Sequence, residues 1–160
     1  SVCIVAPRGR YAGYGVPVVE DGWPNEGPLG GIITAIQATA ADDHRRDWNL
    51  MVSCDMPFLT GDWLSYMVER ALASDAEVIV PRSAYGLEPL CGCWRTSSAP
   101  ALESAFNHGV RKVTEAMKRL RMEVLDETDW KRFDSAGRLF WNMNTPQDYQ
   151  AALQVWESEK

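Results

Sequence analysis

Basic residues, histidine and long apolar runs are the scarce features of this 160-residue chain. Sixteen Lys and Arg stand against 22 Asp and Glu, a formal net charge of −6 at pH 7. That balance disfavours an electrostatic grip on nucleic acid or an anionic membrane. Acidity does not exclude a phosphorylated ligand, because a divalent cation and backbone N–H groups can carry that charge. No apolar run approaches the length of a membrane span, and there is no internal repeat or low-complexity tract. The glycines of residues 7–15 miss the G-x-G-x-x-G spacing, so this segment reads as a loop or short helix. Zinc spacing is also missing: Cys91 and Cys93 stand too close together, and His44 and His108 are isolated. Free, buried thiols in a reducing cytoplasm are expected, with surface or capping roles for the two histidines. The length suits one domain with a core large enough to fold without staples.

The chain is organised around Leu50-Met51-Val52-Ser53-Cys54-Asp55-Met56-Pro57-Phe58-Leu59. Its uncharged opening suits a strand covered on both faces, as in a parallel sheet. Pro57 cannot donate to a ladder and biases Met56 toward an extended backbone, so the strand should stop near Asp55. Asp55 then stands at the carboxyl end of a central strand, where open α/β sheets bind their ligands. Such an acid is either a metal ligand or a turn or capping residue for the following helix. Thr60 or Asp62 already offers an N-cap for the next helix, which favours the metal ligand.

Upstream, residues 2–6 and 16–19 read as short strands, and Glu20-Asp21 opens a turn-rich segment. Gly27-Pro28-Leu29-Gly30-Gly31 leads into a helix with Leu29, Ile32, Ile33 and Ile36 on one face. Pro28 suits a first turn; the glycines either admit a ligand to free N–H groups or allow tight packing on a sheet. A helix over 63–73 should turn Leu64, Met67, Val68 and Leu72 inward. Strands are expected over 77–81, 90–94, 122–125 and 138–143, a loop over 85–90, and helices over 99–106 and 112–119. Thr145, Pro146 and Asp148 make a strong helix start. Asn142 and Asn144 lie two residues apart, on one side of an extended chain. Either both face a ligand or metal-bound water, or one caps and the other satisfies a turn.

Gly27-Pro28-Leu29-Gly30-Gly31, Ser53-Cys54-Asp55-Met56-Pro57-Phe58 and Asn142-Met143-Asn144-Thr145-Pro146 together resemble the molybdenum cofactor guanylyltransferase family, the MobA-like nucleotidyltransferases. Pro89-Leu90 and Gly109-Val110-Arg111-Lys112-Val113 also look like family positions. The resemblance implies one α/β domain over 1–160, a three-layer α/β/α nucleotidyltransferase-type (Rossmann-like) sheet, mostly parallel. It implies a Mg2+-dependent transfer of GMP from GTP to molybdopterin, with or without molybdenum, giving the guanine dinucleotide cofactor and pyrophosphate. By position, Asp55 is the implied magnesium ligand and catalytic residue. Asp21, Gly27, Pro28, Leu29 and Gly30 would lie along the nucleotide, Pro89 would join the substrate site, and Asn142 and Asn144 would stand near the pterin phosphate.

The family's first strand and its glycine-rich, basic triphosphate loop fall before the position of Val2. The domain is therefore expected to be N-terminally incomplete, and these residues alone to be inactive. Two other readings compete: a molybdopterin cytidylyltransferase or other sugar- or alcohol-phosphate nucleotidyltransferase, and an inactive binding or partner domain. Seven tryptophans, Trp23 and Trp156 among them, could form an interaction surface for the latter, or pack in the core. The expected partners are GTP, molybdopterin or the molybdenum cofactor, and cofactor-pathway or acceptor proteins, without nucleic acid or membrane. The expected compartment is the cytoplasm.

Overall fold

A computed structural model describes residues 2–11, 13–42, 46–134 and 136–158. His44 and part of the charged cluster around it lie outside the described residues. Strands β1 (Ile4–Ala6) and β2 (Val18–Glu20) pair in parallel. Helix α1 (Pro28–Ala40) has Pro28 in its first turn and Gly27 as N-cap at φ 90°, a left-handed value that favours glycine. Strand β3 (Trp48–Val52) ends just before the Ser53-Cys54-Asp55 segment. Thr60 caps helix α2 (Gly61–Leu72), its hydroxyl accepting from Trp63 N at 3.3 Å. Asp55 is thereby free of that duty.

Strands β4 (Val78–Ser83), β5 (Gly86–Leu87), β6 (Cys91–Arg95) and β7 (Met122–Leu125) complete the larger sheet. Its order is β3–β6–β4–β7, with β5 pairing the end of β4. Because β3 and β4 each run antiparallel to β6, and β7 runs parallel to β4, β3, β4 and β7 share one direction. The antiparallel β6 and β5 are the exceptions to the expected mostly parallel sheet. Only Ala84 and Tyr85 separate β4 from β5, and a return that short allows only antiparallel pairing.

Alternation along the central strands divides the core into two layers. Val78 and Val80 of β4 and Trp94 of β6 face α1, α3 (Ala99–Asn107) and α4 (Val113–Ala116). Ile79 of β4 and Cys91 and Cys93 of β6 face Trp63, Met67 and Ala71 of α2. Two helical layers around one sheet are the expected α/β/α arrangement. Two inward assignments on α2 are corrected: Val68 and Leu72 lie on its exposed side, Leu72 at 74% exposure. Trp63, Met67 and Ala71 at four-residue steps fill the sheet-facing stripe, and the residue after each lies about 100° around the helix.

Three further expectations change. Residues 112–119 form the short α4 followed by a 3-10 turn over Met117–Arg119, and β5 occupies part of the expected 85–90 loop. An unexpected helix, α5 (Glu127–Trp130), follows β7, capped reciprocally by Asp126 and Asp129. The expected strand over 138–143 is instead irregular. There, Arg138 N and Leu139 N donate to the Asp134 carboxylate, and Trp141 N turns back to Arg138 O. Leu139 and Phe140 are buried in succession, which a strand's two-sided alternation does not permit on one face. Helix α6 (Pro146–Ser158) closes the described chain. No helix of the described residues is long and apolar enough to cross a membrane.

Candidate functional site

Backbone hydrogen bonds bring three distant segments together at the end of β3. Ser53 N donates to Leu90 O at 2.8 Å, and Met143 N donates to Asp55 O at 2.9 Å. The 88–90 segment is fixed in turn by Glu88 N to Pro81 O and Cys91 N to Glu88 O, both 2.9 Å. Trp94 Nε1 donates to Pro89 O at 3.3 Å. On the third segment, Asp148 Oδ2 accepts from Asn144 N at 3.0 Å and Thr145 N at 2.8 Å, and Asp148 N donates back to Thr145 Oγ1. The Thr145 hydroxyl bond, together with those backbone donors, holds the Asp148 carboxyl below the usual carboxylate range. The α6 capping box thus anchors the strandless segment that carries Asn142 and Asn144.

Between these segments lies a cavity of about 180 Å³, with Asp55, Glu88, Asn142 and Asn144 as its chemically active lining. Pro28, Pro89 and Val113 are among its walls. Asp55 Oδ1 is buried and has no hydrogen-bond partner among the described residues. Leaving such an atom orphaned costs on the order of 1–3 kcal/mol, more when it is charged, unless water or a bound group pairs with it. Glu88 is only 9% exposed, and its one side-chain hydrogen bond among the described residues comes from Ser83 Oγ at 2.6 Å. The side-chain amides of Asn142 and Asn144 have no hydrogen bond to described residues. Among the described residues, no Lys, Arg or His lines the cavity.

A second cavity, about 480 Å³, shares the same two asparagines in its lining. Tyr85, Trp130, Phe140 and Trp141 give it aromatic walls, and Ser83 and Asp134 contribute polar groups. Trp141 packs against Phe58 with centroids 5.4 Å apart and planes 31° from parallel. Trp130 meets Phe140 edge-on at 5.3 Å and donates its Nε1–H to Arg82 O at 3.0 Å. These contacts fix the Trp130 and Trp141 rings in place. Tyr85, at the β4–β5 turn, is 94% exposed.

Of the residues expected at the site, Pro28, Asp55, Pro89, Asn142 and Asn144 converge on the smaller cavity. Asp21, Gly27, Leu29 and Gly30 do not line either cavity. Asp21 Oδ1 accepts from Trp23 N at 3.0 Å and Thr34 Oγ1 at 3.4 Å, shaping the approach to α1. Leu29 is fully buried in the core. Gly30 is required by packing, since a Cβ there would meet Trp23 Cβ at 2.8 Å. Glu88, Ser83, Val113, Trp130 and Trp141 were not anticipated as lining residues. The available signal for Glu88 was a single acid between Leu87 and Pro89-Leu90.

Cys91 and Cys93 are buried beneath this site against Met67, while Cys3 and Cys54 are exposed, contrary to a uniform burial of the thiols. Burial pushes the Cys91 thiol up to about 11 and the Cys93 thiol up to about 12. Both are therefore protonated and inert near neutral pH. His108 caps the end of α3, with Nδ1 2.6 Å from Ser104 O.

The model of a family described as the MobA-like NTP transferase domain matches residues 1–122, which include Asp55 and Glu88 but not Asn142 or Asn144. A protein of Clostridium perfringens named probable molybdenum cofactor guanylyltransferase is 28% identical over 151 residues, 93% of this chain and 73% of its own length. A molybdenum cofactor guanylyltransferase of Rhodopseudomonas palustris is 30% identical over 150 residues, 91% of this chain and 68% of its own. The crystal structure of molybdopterin-guanine dinucleotide biosynthesis protein A from Archaeoglobus fulgidus superposes with a TM-score of 0.77 at 24% identity, covering 89% of this chain and 69% of that one. This last likeness speaks for the fold.

Proposed function

The chain belongs to the MobA-like NTP transferase family, and we propose that it transfers GMP from GTP to molybdopterin, releasing pyrophosphate and forming the guanine dinucleotide cofactor. The observation that carries this reading is the meeting of two cavities at Asn142 and Asn144, beside the buried, unpartnered Oδ1 of Asp55. A nucleotidyl transfer needs two substrates to meet at one phosphorus atom, and adjoining cavities with a shared wall provide for that. The names of the relatives support guanosine as the nucleoside and molybdopterin as the acceptor.

Asp55 fits a hard cation: its orphaned oxygen is an anionic oxygen ligand, and no protein cation lines the cavity. Magnesium bound there would neutralise phosphate charge and orient the phosphates. In the reaction, an acceptor phosphate oxygen attacks the α-phosphorus of GTP as the bond to pyrophosphate breaks. The nucleophile is already deprotonated near neutral pH, so no side chain need act as a strong base. Asn142 and Asn144 donate amide hydrogens to phosphate oxygens as charge builds on them, and positioning does the rest. The aromatic cavity receives the flat ring of the acceptor, with Trp141 as a stacking surface.

Turnover by residues 1–160 is expected to be slow, because among the described residues no Lys, Arg or His lines either cavity to grip a triphosphate. The test is magnesium-dependent pyrophosphate release from GTP in the presence of molybdopterin, with CTP as competitor. Release above the protein-free rate, inhibited weakly or not at all by CTP, supports the reading. Preference for CTP makes the chain a cytidylyltransferase, and nucleotide-independent behaviour at saturating acceptor overturns the assignment altogether.

A further inference from the structure

We propose that Glu88 is the second protein ligand of the divalent cation, completing with Asp55 a two-carboxylate site; this rests on the metal reading of Asp55 given above. Glu88 is 9% exposed and lines the same 180 Å³ cavity as Asp55. Taking a carboxylate out of water costs several kcal/mol unless charge or hydrogen bonds compensate. Ser83 Oγ, at 2.6 Å, supplies one hydrogen bond to Oε1. Among the described residues Glu88 has no ion pair, and the cavity has no cationic side chain.

Two acids thus share a small cavity with no positive charge in its lining, and one of their oxygens, Asp55 Oδ1, is buried without a partner. A divalent cation between them resolves both deficits at once. No group of three or more His, Cys, Asp or Glu side chains forms among the described residues, so the protein's share at this site is the two carboxylates alone. Two carboxylates are the protein share that magnesium commonly takes, with waters and substrate phosphates filling its other positions. The backbone holds Glu88 in register for this: Glu88 N is bonded to Pro81 O, and Glu88 O receives Cys91 N. Ser83 orients the carboxylate from behind, the supporting contact expected of a metal ligand. Glu88 is thereby a ligand, and Ser83 a positioning residue.

The test is binding of manganese(II) alone, without nucleotide, followed by the electron paramagnetic resonance signal of the free ion. The intact 160-residue chain should bind one ion, and Asp55→Asn and Glu88→Gln should each weaken binding at least tenfold. The glutamine amide oxygen can still accept from Ser83 Oγ, so Glu88→Gln retains that contact. Should this variant fail to fold, wild-type chain carrying carboxyl-13C glutamate keeps the question open to measurement. Magnesium must then shift one glutamate side-chain resonance, whereas no shift at saturation overturns the inference. Wild-type affinity in Glu88→Gln, with loss in Asp55→Asn, overturns the role of Glu88 and leaves the proposed reaction standing. Wild-type affinity in both variants removes the Asp55 metal reading as well.

Discussion

The two cavities that share Asn142 and Asn144 differ in size and in the character of their remaining lining. The smaller has two acids and a volume of about 180 Å³. The larger has four aromatic side chains and about 480 Å³. A small acidic cavity suits a cation and the phosphates it carries, whereas a larger aromatic one suits a flat ring. In the proposed reaction, that difference puts the reacting centre in the smaller cavity and acceptor recognition in the larger. It also separates the expected kinetic consequences: substitutions in the acidic cavity should lower turnover, and substitutions in the aromatic cavity should weaken acceptor binding.

Asp55→Ala should break that division most severely. Removing the cavity's unpartnered carboxylate should reduce pyrophosphate release by at least about 100-fold, the scale seen when one electrostatic stabiliser of a transition state is lost. Full release in this variant would move the reacting centre elsewhere. The neighbouring wall gives a stability test instead. In Gly30→Ala, the added Cβ would meet Trp23 Cβ at 2.8 Å, and Trp23 itself packs on Phe106 at 5.3 Å. Overpacking of this kind costs about 1–3 kcal/mol, seen as a lower melting temperature. An unchanged melting temperature would show that the loop before α1 yields freely and that Gly30 is small for a ligand's sake.

On the aromatic side, Trp141→Ala removes a ring whose stacking energy is about 0.5–1.5 kcal/mol beyond area burial. KM for molybdopterin should rise about tenfold while KM for GTP stays within experimental error. Steady-state kinetics with each substrate varied separately distinguishes this from a general loss of folding. A rise in the GTP KM alone would exchange the roles of the two cavities.

How far these cavities were legible in the sequence depends on the distance over which each feature is determined. The end of β3 before Asp55 and the cap at Thr145, Pro146 and Asp148 are local, set by prolines and short polar side chains within a few residues. The burial of Glu88 is not local. It follows from the β4–β5 turn and from bonds to Pro81 and Cys91, which no periodicity in 85–90 announces. The aromatic cavity is less legible still, since Tyr85, Trp130 and Trp141 are far apart in the chain and converge only through the sheet. The misread 138–143 strand has the same origin. Its residues satisfy their backbone through the Asp134 carboxylate and a single bond to Asp55, and form no ladder. The glycine-rich start of α1 held two properties in one motif: Gly27 adopts a left-handed φ, whereas Gly30 makes room for Trp23.

Asn142→Ala should have the smallest effect and bears most directly on the shared wall. Asn142 is half-buried, lines both cavities, and makes no side-chain hydrogen bond to the described residues. Its removal leaves no protein donor or acceptor newly orphaned, so the melting temperature should hardly move. A hydrogen bond made only to ligands contributes about 0.5–1.5 kcal/mol, more to a charged phosphate. If the amide reaches phosphates from both substrates, KM for GTP and KM for molybdopterin should each rise about 3–10-fold. A rise in only one would place Asn142 in a single subsite and leave Asn144 as the sole junction. An unchanged pair of KM values, with kcat reduced, would mean instead that the amide meets phosphate charge only in the transition state.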